Sequence, residues 1–470
     1  MPLILPGNVA SATAATGYDV DNSCRFNFGD DPKLSKSVSS GSGSTKFTFS
    51  CWFKTTTVNS SYGRILWNGD SGGSYETGIT MYADGRLSVA WNNGSDGGRT
   101  WLTNADYLDP AAWYHLVVRY DSTDGTAGDR LQIWINGVRN TSFSSSTNPG
   151  SNEVINVFKA DVLSIGREVT SEDRFSFDGY LAEVCVIDNT AYTATDFGEF
   201  DDDSPTIWKP KDVSGLTFGT NGFYLDFKAS GNLGNDANGG TDLDESNIAA
   251  ADQSVDTPTN NFATLNPLFK SGAFTSSTGT VTLTEGMCHL NEATHAVVCA
   301  TMAVTTGKFY WELKINGDDY FFGVLADAPG GNAAHSYNDN TSYGIYVHHS
   351  GGQFLTAGSW TSQSTYTGTG TYMIAVDVDN QKMWFGKDGT WTGDPAAGSG
   401  NSITLGTHTY LPWIHCAGVA GNNSSDISFG GCPAFSISSA QADDNGYGIF
   451  EYDVPSGFYA LCTKNLAEFG

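Results

Sequence analysis

The carboxylates and histidines are the side chains of this chain that could do chemistry, but the spacing of the carboxylates does not favour catalysis. Glu183 and Asp188 are the best-placed carboxylate pair, in the strand-like segment AEVCVID, and residues five apart point to opposite faces of a regular strand. Two carboxyl groups must flank one bond to hydrolyse a glycoside. This pair therefore does not fit that reaction.

The histidines do not form a catalytic or metal-binding pattern either. His348 and His349 are adjacent and diverge on a strand, whereas His289 and His295 share a face but lie far apart along it. His115 lies within an apolar strand pattern, which is typical of a structural histidine rather than a base. The sequence has no G-x-S-x-G motif, phosphate loop or recognisable Cys-His constellation. We therefore expect a binding protein and not an enzyme.

Composition and charge define the class of protein. The 470 residues exceed what one sandwich core normally uses, so we expect two domains and a connector. Gly, Ser, Thr and Asn alternate with aromatic residues, which is typical of all-β proteins. The net charge of −28 repels nucleic acid and anionic membranes, and no apolar run is long enough to span a bilayer. Nucleic acid binding and membrane insertion are therefore not expected.

The termini and cysteines indicate a reducing compartment. Pro2 and Pro6 interrupt the N-terminal apolar run and no basic region precedes it, so a secretory signal is not expected. The eight cysteines contain no C-x-x-C spacing, and free thiols are the default, with Cys416–Cys432 or Cys288–Cys299 bridges as the alternative. No zinc site is predicted.

The first half of the chain reads as a series of short strands. In FTFSCWFKT, Phe47, Phe49, Cys51 and Phe53 alternate with polar residues and predict one core face. Asn136-Gly137 follows RLQIWI and predicts a two-residue hairpin turn. The order of tFSCWFK, WYHLVVRYD, LQIWINGV, LSIGR and FDGYLAEVCVID resembles the laminin-G-like, concanavalin-A-like jelly rolls.

This resemblance implies glycan or protein binding through loops at one edge, sometimes with calcium. Asp70 and Asp96 lie in two such loops and are the predicted calcium ligands, because calcium prefers carboxylate and amide oxygens. Trp91 and Trp101 could stack on a sugar face. The alternative is that these are ordinary polar turns and core tryptophans. No cofactor other than calcium is indicated.

Residues 201–269 are predicted to form a connector, placed between a first domain at 1–200 and a second at 270–470. NGFYLDF at 221–227 alternates like one strand, and residues 228–255 lack apolar periodicity. Five spaced apolar residues nevertheless indicate an ordered strap over one sandwich: Phe227, Leu233, Leu243, Ile248 and Val255. A flexible linker would lack such residues.

The second domain begins its strand pattern at GKFYWELKI, where Phe309, Trp311, Leu313 and Ile315 share a face. The order of GKFYWEL, FFGV, YGIY, IAVDVDNQKMWFGKDG, LPWI and ISFGGCPAF resembles a SPRY-type domain, which implies a second concanavalin-A-like sandwich that recognises partners through loops. Four aromatic residues lie in Gly/Ser/Thr-rich segments and are predicted ligand contacts if exposed, or sheet-edge packing if not: Tyr337, Trp360, Tyr366 and Trp391.

Four strings of the chain resemble tailed-bacteriophage virion proteins, especially of marine phages: NGFYLDF, DTPTNNFATLNPL, WFGKDGTW…GDPAAG and SGFYALCTKNL. This resemblance implies a virion structural protein such as a tail fibre, assembled in the host cytoplasm with other virion proteins and contacting a host-surface glycan or receptor. A homo-oligomer is implied, although no coiled coil or β-helical repeat indicates its symmetry. The alternatives are a capsid or tail decoration protein and, third, a glycan-degrading enzyme.

Overall fold

The computed structural model describes most of the chain, with gaps between the following ranges: residues 17–38, 43–56, 62–69, 75–92, 98–159, 162–169, 175–271, 281–292, 296–317, 319–327, 341–348, 351–363, 366–416 and 423–470. The chain divides into two compact units with a boundary between Thr259 and Asn260. No helix in these ranges is long and apolar enough to cross a bilayer.

The first unit consists of short antiparallel strands with 3-10 turns between some of them. The strands are β1 (Ser23–Phe26), β2 (Lys33–Ser37), β3 (Lys46–Thr55), β4 (Gly63–Gly69), β5 (Glu76–Met81), β6 (Arg86–Asn92), β7 (Arg99–Asp106), β8 (Tyr114–Asp121), β9 (Leu131–Ile135), β10 (Val138–Arg139), β11 (Phe143–Ser145), β12 (Val162–Ile165), β13 (Gly179–Asp188), β14 (Gly198–Phe200), β15 (Trp208–Pro210), β16 (Phe223–Leu225), β17 (Asp244–Ser246) and β18 (Gln253–Ser254).

These strands form two main sheets with a core between them. The front sheet has the order β10-β9-β8-β3-β13-β1-β18, with β16 paired to β13, and the back sheet has the order β11-β7-β6-β5-β4-β12-β2-β17. The alternation predicted for β3 is confirmed, because Phe47, Phe49, Cys51 and Phe53 all lie in the core cluster. The predicted hairpin turn is also present, with positive φ at Asn136 (48°) and Gly137 (75°), as a two-residue turn with a right-handed strand twist requires.

The predicted strap belongs to the first unit. Phe227, Leu233, Leu243 and Ile248 are buried in its core, as their spacing predicted. The strap also adds β17 to the back sheet and β18 to the front sheet. Residues 201–259 are therefore part of the sandwich, and the boundary at Thr259 lies ten residues before the predicted connector ends.

The second unit is also built from strands, with one short terminal helix. The elements are β19 (Leu265–Ser271), β20 (Val281–Thr284), β21 (His289–Glu292), β22 (Ala296–Ala300), β23 (Lys308–Ile315), β24 (Tyr320–Ala326), β25 (Ser342–His348), β26 (Gly351–Thr356), β27 (Ser359–Gln363), β28 (Gly370–Asp377), β29 (Lys382–Lys387), β30 (Thr390–Trp391), β31 (Gly393–Asp394), β32 (Ser399–Gly400), β33 (Ile403–Thr404), β34 (Tyr410–Cys416), β35 (Asn423–Ser428), β36 (Tyr459–Ala460) and α1 (Thr463–Phe469).

Two sheets again enclose the core of this unit. One sheet has the order β19-β22-β34-β24-β25-β26-β27, and the other has the order β20-β21-β35-β23-β28-β29-β30. Phe309, Trp311, Leu313 and Ile315 of β23 are buried in the core, as their alternation predicted. The predicted all-β fold class with two sandwiches is confirmed.

The string DTPTNNFATLNPL meets the chain's terminal string within the second unit. Asn260 Oδ1 accepts a hydrogen bond from the Lys464 amide (3.2 Å), and the Asn261 amide donates to Thr463 Oγ1 (3.0 Å). Phe262 pairs with Cys462 as an isolated bridge. The first amides of a helix have no hydrogen-bond partner within it, so the Asn260 side chain supplies the partner for the Lys464 amide at the start of α1.

Candidate functional site

A cleft of about 340 Å³ opens on the back sheet of the first unit. Polar and small side chains on β4 to β7 line it, and they alternate along each strand with core residues such as Ile79 and Val89. They therefore lie on the sheet face turned away from the core. The cleft residues used below are Tyr62, Arg64, Glu76, Thr80, Tyr82, Ser88, Trp91, Arg99 and Phe175.

Arg64 is the central charged group of the cleft. Its Nε donates to Glu168 Oε2 (3.0 Å), its Nη1 donates to Thr80 Oγ1 (2.6 Å), and its Nη2 donates to Glu76 Oε1. The guanidinium also lies over the Phe175 ring, 5.5 Å from its centroid. Burial raises the pKa of Glu76, an effect that Arg64 opposes and Glu168 reinforces.

Aromatic rings form the other part of the cleft. Tyr62 is 42% exposed, and its ring contacts Tyr82 (centroids 4.7 Å apart) and Phe175 (5.6 Å) in edge-to-face geometry. An exposed aromatic ring beside a carboxylate and hydroxyl groups is suited to a sugar. The aromatic ring covers the apolar face of the sugar, and the polar groups form hydrogen bonds with the hydroxyl groups at the sugar's edge. The cleft therefore presents the exposed Tyr62 ring and the partly exposed Glu76 carboxylate, whereas Thr80 and Ser88 are only 4% and 2% exposed.

The two tryptophans predicted as sugar contacts are core residues, which was the alternative left open. Trp91 is 2% exposed, and its Nε1 donates to Glu153 Oε1 (3.0 Å), although the residue also borders the cleft. Trp101 is 6% exposed and donates to the Thr147 carbonyl (2.8 Å). Trp101 faces inward opposite the core residue Val89, and Trp91 lies two residues after Val89 on the same face of β6. Neither offers an open ring face.

The predicted calcium ligands Asp70 and Asp96, and the predicted contact Tyr337, lie outside the described residues. Within the described ranges, no three His, Cys, Asp or Glu side chains are grouped so as to hold a metal ion. Calcium binding at Asp70 and Asp96 stays a prediction.

In the second unit, Trp360 belongs to an aromatic patch on the sheet that contains β24 to β27. Phe321 stacks on Tyr346 (centroids 4.3 Å apart) and meets Trp360 edge to face at 5.5 Å. The Tyr346 hydroxyl donates to Asp319 Oδ1 (2.7 Å), which also lies 3.2 Å from His348 Nε2. Tyr346 and Trp360 are half-buried, so this patch is the second candidate surface.

The remaining predicted aromatic contacts have structural partners. Tyr366 follows the packing alternative and not the ligand contact: it is fully buried, and its hydroxyl donates to the Phe385 carbonyl and contacts the Thr392 hydroxyl. Its ring fills the core beside Phe354 and Phe385. Trp391 is half-buried and lies 6.3 Å from the Tyr310 ring.

Ser50 and His115 have the separation of a nucleophile and its base, but the hydrogen-bond pattern excludes that role. Ser50 Oγ lies 2.9 Å from His115 Nε2, and the Trp208 indole donates to His115 Nδ1 (2.9 Å). An indole can only donate, so Nδ1 is an acceptor and the proton of neutral His115 lies on Nε2. His115 therefore donates to Ser50 and cannot take its proton. Burial lowers the pKa of His115 to about 3.

Residues 28–196 match a laminin G model whose family is described as the concanavalin A-like lectin/glucanases superfamily. The first unit thus contains a region similar to the concanavalin A-like lectins and glucanases. No curated protein matches the sequence.

Solved structures similar to the chain include domains LG4-5 of the mouse laminin alpha1 chain (10% identity, 88% of this chain and 89% of that chain, TM-score 0.29). A putative carbohydrate binding protein from Bacteroides ovatus is also similar (16% identity, 49% and 58%, TM-score 0.34). The TRIM65 PSpry domain is a third (12% identity, 36% and 92%, TM-score 0.28).

Proposed function

We propose that this chain is a glycan-binding adhesion protein of a bacteriophage particle, and that it acts as a tail fibre or another appendage that contacts the host surface. The observation that carries the glycan-binding part is the cleft, where the exposed Tyr62 ring lies beside the Arg64 and Glu76 pair. The family match at residues 28–196 supports a carbohydrate ligand, since the family's description names lectins and glucanases. The resemblance of the four strings to virion proteins supports the location.

The proposed role needs only weak individual sites. A single cleft of this size covers one or two sugars, and many copies on a particle would multiply the affinity without new contacts. The homo-oligomer and the virion partners implied by the resemblance belong to this proposal.

The test is binding of the fluorescently labelled protein to intact candidate host cells and to polysaccharide isolated from their surface. Tyr62→Ala should reduce binding at least tenfold, because it removes the exposed ring and leaves the core unchanged. The matched control is Phe200→Ala, since Phe200 is similarly exposed (41%) on the same unit but lies outside the cleft. The same binding assay with a calcium chelator added tests the calcium prediction separately.

Two outcomes would contradict the proposal. Folded protein that binds neither cells nor polysaccharide, but does bind phage particles, would favour a decoration protein. Release of reducing ends from the polysaccharide would favour an enzyme.

A further inference from the structure

Strand β27 forms one end of its sheet in the second unit. It pairs with β26 on one side, and among the described residues no strand pairs with its other side. Its sequence, SWTSQ, lacks proline and charge, and its pairing with β26 has no bulge, although these are the devices that normally keep edge strands from pairing with other chains. Two other edges do carry such devices, with Pro267 on β19 and with Asp244 and Glu245 on β17. β27 is therefore suited to pairing with a further strand.

The sequence around β27 is free of charged residues, which bears on the kind of partner. Residues 350–376 contain no Asp, Glu, Lys or Arg, whereas the chain's charged fraction of 16% would place about four among these 27 residues. The whole net charge of −28 lies outside this stretch. Two copies of so acidic a chain repel each other at most surfaces, and an uncharged edge is where they approach with least repulsion. A strongly basic or acidic partner would find no complementary charge in this stretch.

The turn between β26 and β27 determines which backbone groups of β27 point outward. The two turn residues, Ala357 and Gly358, have positive φ (46° and 78°), and the last residue of β26 pairs with the first residue of β27. In such a two-residue hairpin this closing pair is hydrogen-bonded, and bonded pairs recur at every second position. Thr361 therefore directs its N–H and C=O towards β26, and Ser362 directs its own towards the edge.

Two β27 edges are complementary to each other about Thr361, the middle residue of the strand. Antiparallel pairing there joins outward groups of the parity of Ser362 and places the two Thr361 residues opposite each other, with their Cα atoms about 4.5 Å apart. Ser362 lies in register with Tyr346 and Phe321 across the sheet. The same pairing thus brings the aromatic patches of both copies onto one continuous sheet face.

We propose that two copies of this chain associate through their β27 strands, antiparallel about a two-fold axis at Thr361, so that two sheets become one. Such a contact uses the same surface on both copies, as a two-fold axis requires. The inference rests on the proposed function only in its homo-oligomer part, for which it supplies the contact surface, and it does not depend on glycan binding at the cleft.

The test is the molecular mass of the full chain in solution, measured by light scattering after size exclusion at micromolar concentrations and without a glycan. Thr361→Lys and Thr361→Asp each place like charges directly opposite each other, so each variant should have half the mass of the native assembly. An equal mixture of the two variants should recover the native mass, because Lys then faces Asp. Thr361 is exposed, so circular dichroism should show both variants folded.

Two control variants show that the effect belongs to this edge. Thr282 is also exposed and lies on β20, which ends the other sheet of the same unit, so Thr282→Lys should keep the native mass. Tyr62→Ala changes the cleft of the first unit and should also keep the native mass. This second control separates assembly from ligand binding.

The outcomes also separate the inference from the proposed function. A monomeric native chain overturns the β27 contact and leaves glycan binding at the cleft to its own test. A native assembly that persists in both Thr361 variants, or a mixture that stays at half the native mass, overturns the face-to-face pairing. Native assembly that depends on Thr361, together with no binding to cells or polysaccharide, supports this inference and contradicts the proposed ligand.

Discussion

Glu183 is a buried acid whose ionisation should make the stability of the first unit depend on pH. It lies at a bulge of β13, with φ of 50°, and its side chain accepts a hydrogen bond from the Tyr224 hydroxyl (2.7 Å). Burial raises the pKa of Glu183 from 4.5 to about 7, and the Tyr224 hydrogen bond only partly opposes this. Nearby Asp226 raises the pKa further, whereas Lys228 lowers it.

The sign and size of the effect follow from these values. Below pH 4.5, Glu183 is protonated in both the folded and the unfolded chain, so the fold keeps its full stability. Between pH 4.5 and 7, the unfolded chain releases the proton and the folded chain retains it, so the free energy of unfolding falls as pH rises. A difference of about 2.5 pKa units corresponds to about 3 kcal/mol, which is fully lost above pH 7.

The assay is urea unfolding of the native chain and of Glu183→Gln at half-unit steps from pH 4.5 to 8.5. The glutamine keeps the oxygen that accepts from Tyr224 but cannot ionise, so the variant should gain about 3 kcal/mol relative to the native chain between pH 4.5 and 7.5. Glu199→Gln reports the effect of removing an exposed carboxyl group. A difference between Glu183→Gln and the native chain that is the same at all pH values would refute the reasoning.

Two further predictions concern buried groups of the first unit. Lys54 and Asp256 form an ion pair (2.7 Å) with both side chains at most 1% exposed. Asp256→Asn should therefore lower the free energy of unfolding in urea by about 3–5 kcal/mol, because it leaves a buried charge unpaired. Adding Lys54→Met to the same chain should restore part of that free energy. If Asp256→Asn alone were as stable as the native chain, the buried Lys54 ammonium would not need Asp256 as its counter-ion, and the prediction would be wrong. Because the pKa of His115 is about 3 in the fold against 6.5 when unfolded, stability should decrease as pH falls from 6.5 towards 3, by up to about 5 kcal/mol. NMR should show its ring neutral at pH 5, and titration near pH 6.5 would contradict this.

The cores could be predicted from the sequence because burial leaves a periodic signal. Phe47, Phe49 and Cys51 recur at every second position, and so do Phe309 and Trp311, so their inward faces were evident before the strands were paired. The strap was recognisable for a related reason, since apolar anchors such as Leu233 and Leu243 have no place in a solvated linker. These signals are local.

The cleft could not be predicted because its residues look like any solvent-facing positions. Arg64, Glu76 and Ser88 lie on three strands, and Glu168 and Phe175 follow β12 about a hundred residues later. Only the pairing of β4 with β5, β5 with β6, and β4 with β12 brings them together. The sequence instead offered Trp91 and Trp101 as sugar contacts, with core packing as the alternative. Trp91 and Trp101 show why this failed, because strand register placed both rings in the core.

Two of the strings that resemble virion proteins, DTPTNNFATLNPL and SGFYALCTKNL, have structural roles, and this separates the proposed location from the proposed ligand. Asp256 neutralises the buried Lys54, while Asn260 and Asn261 hydrogen-bond the start of α1. Residues with such partners are constrained by folding and not by a receptor, so a shared string of this kind indicates a shared architecture. None of the four strings contributes a residue to the cleft. The proposed ligand therefore depends on cleft positions such as Tyr62 and Glu76, which lie outside all four strings.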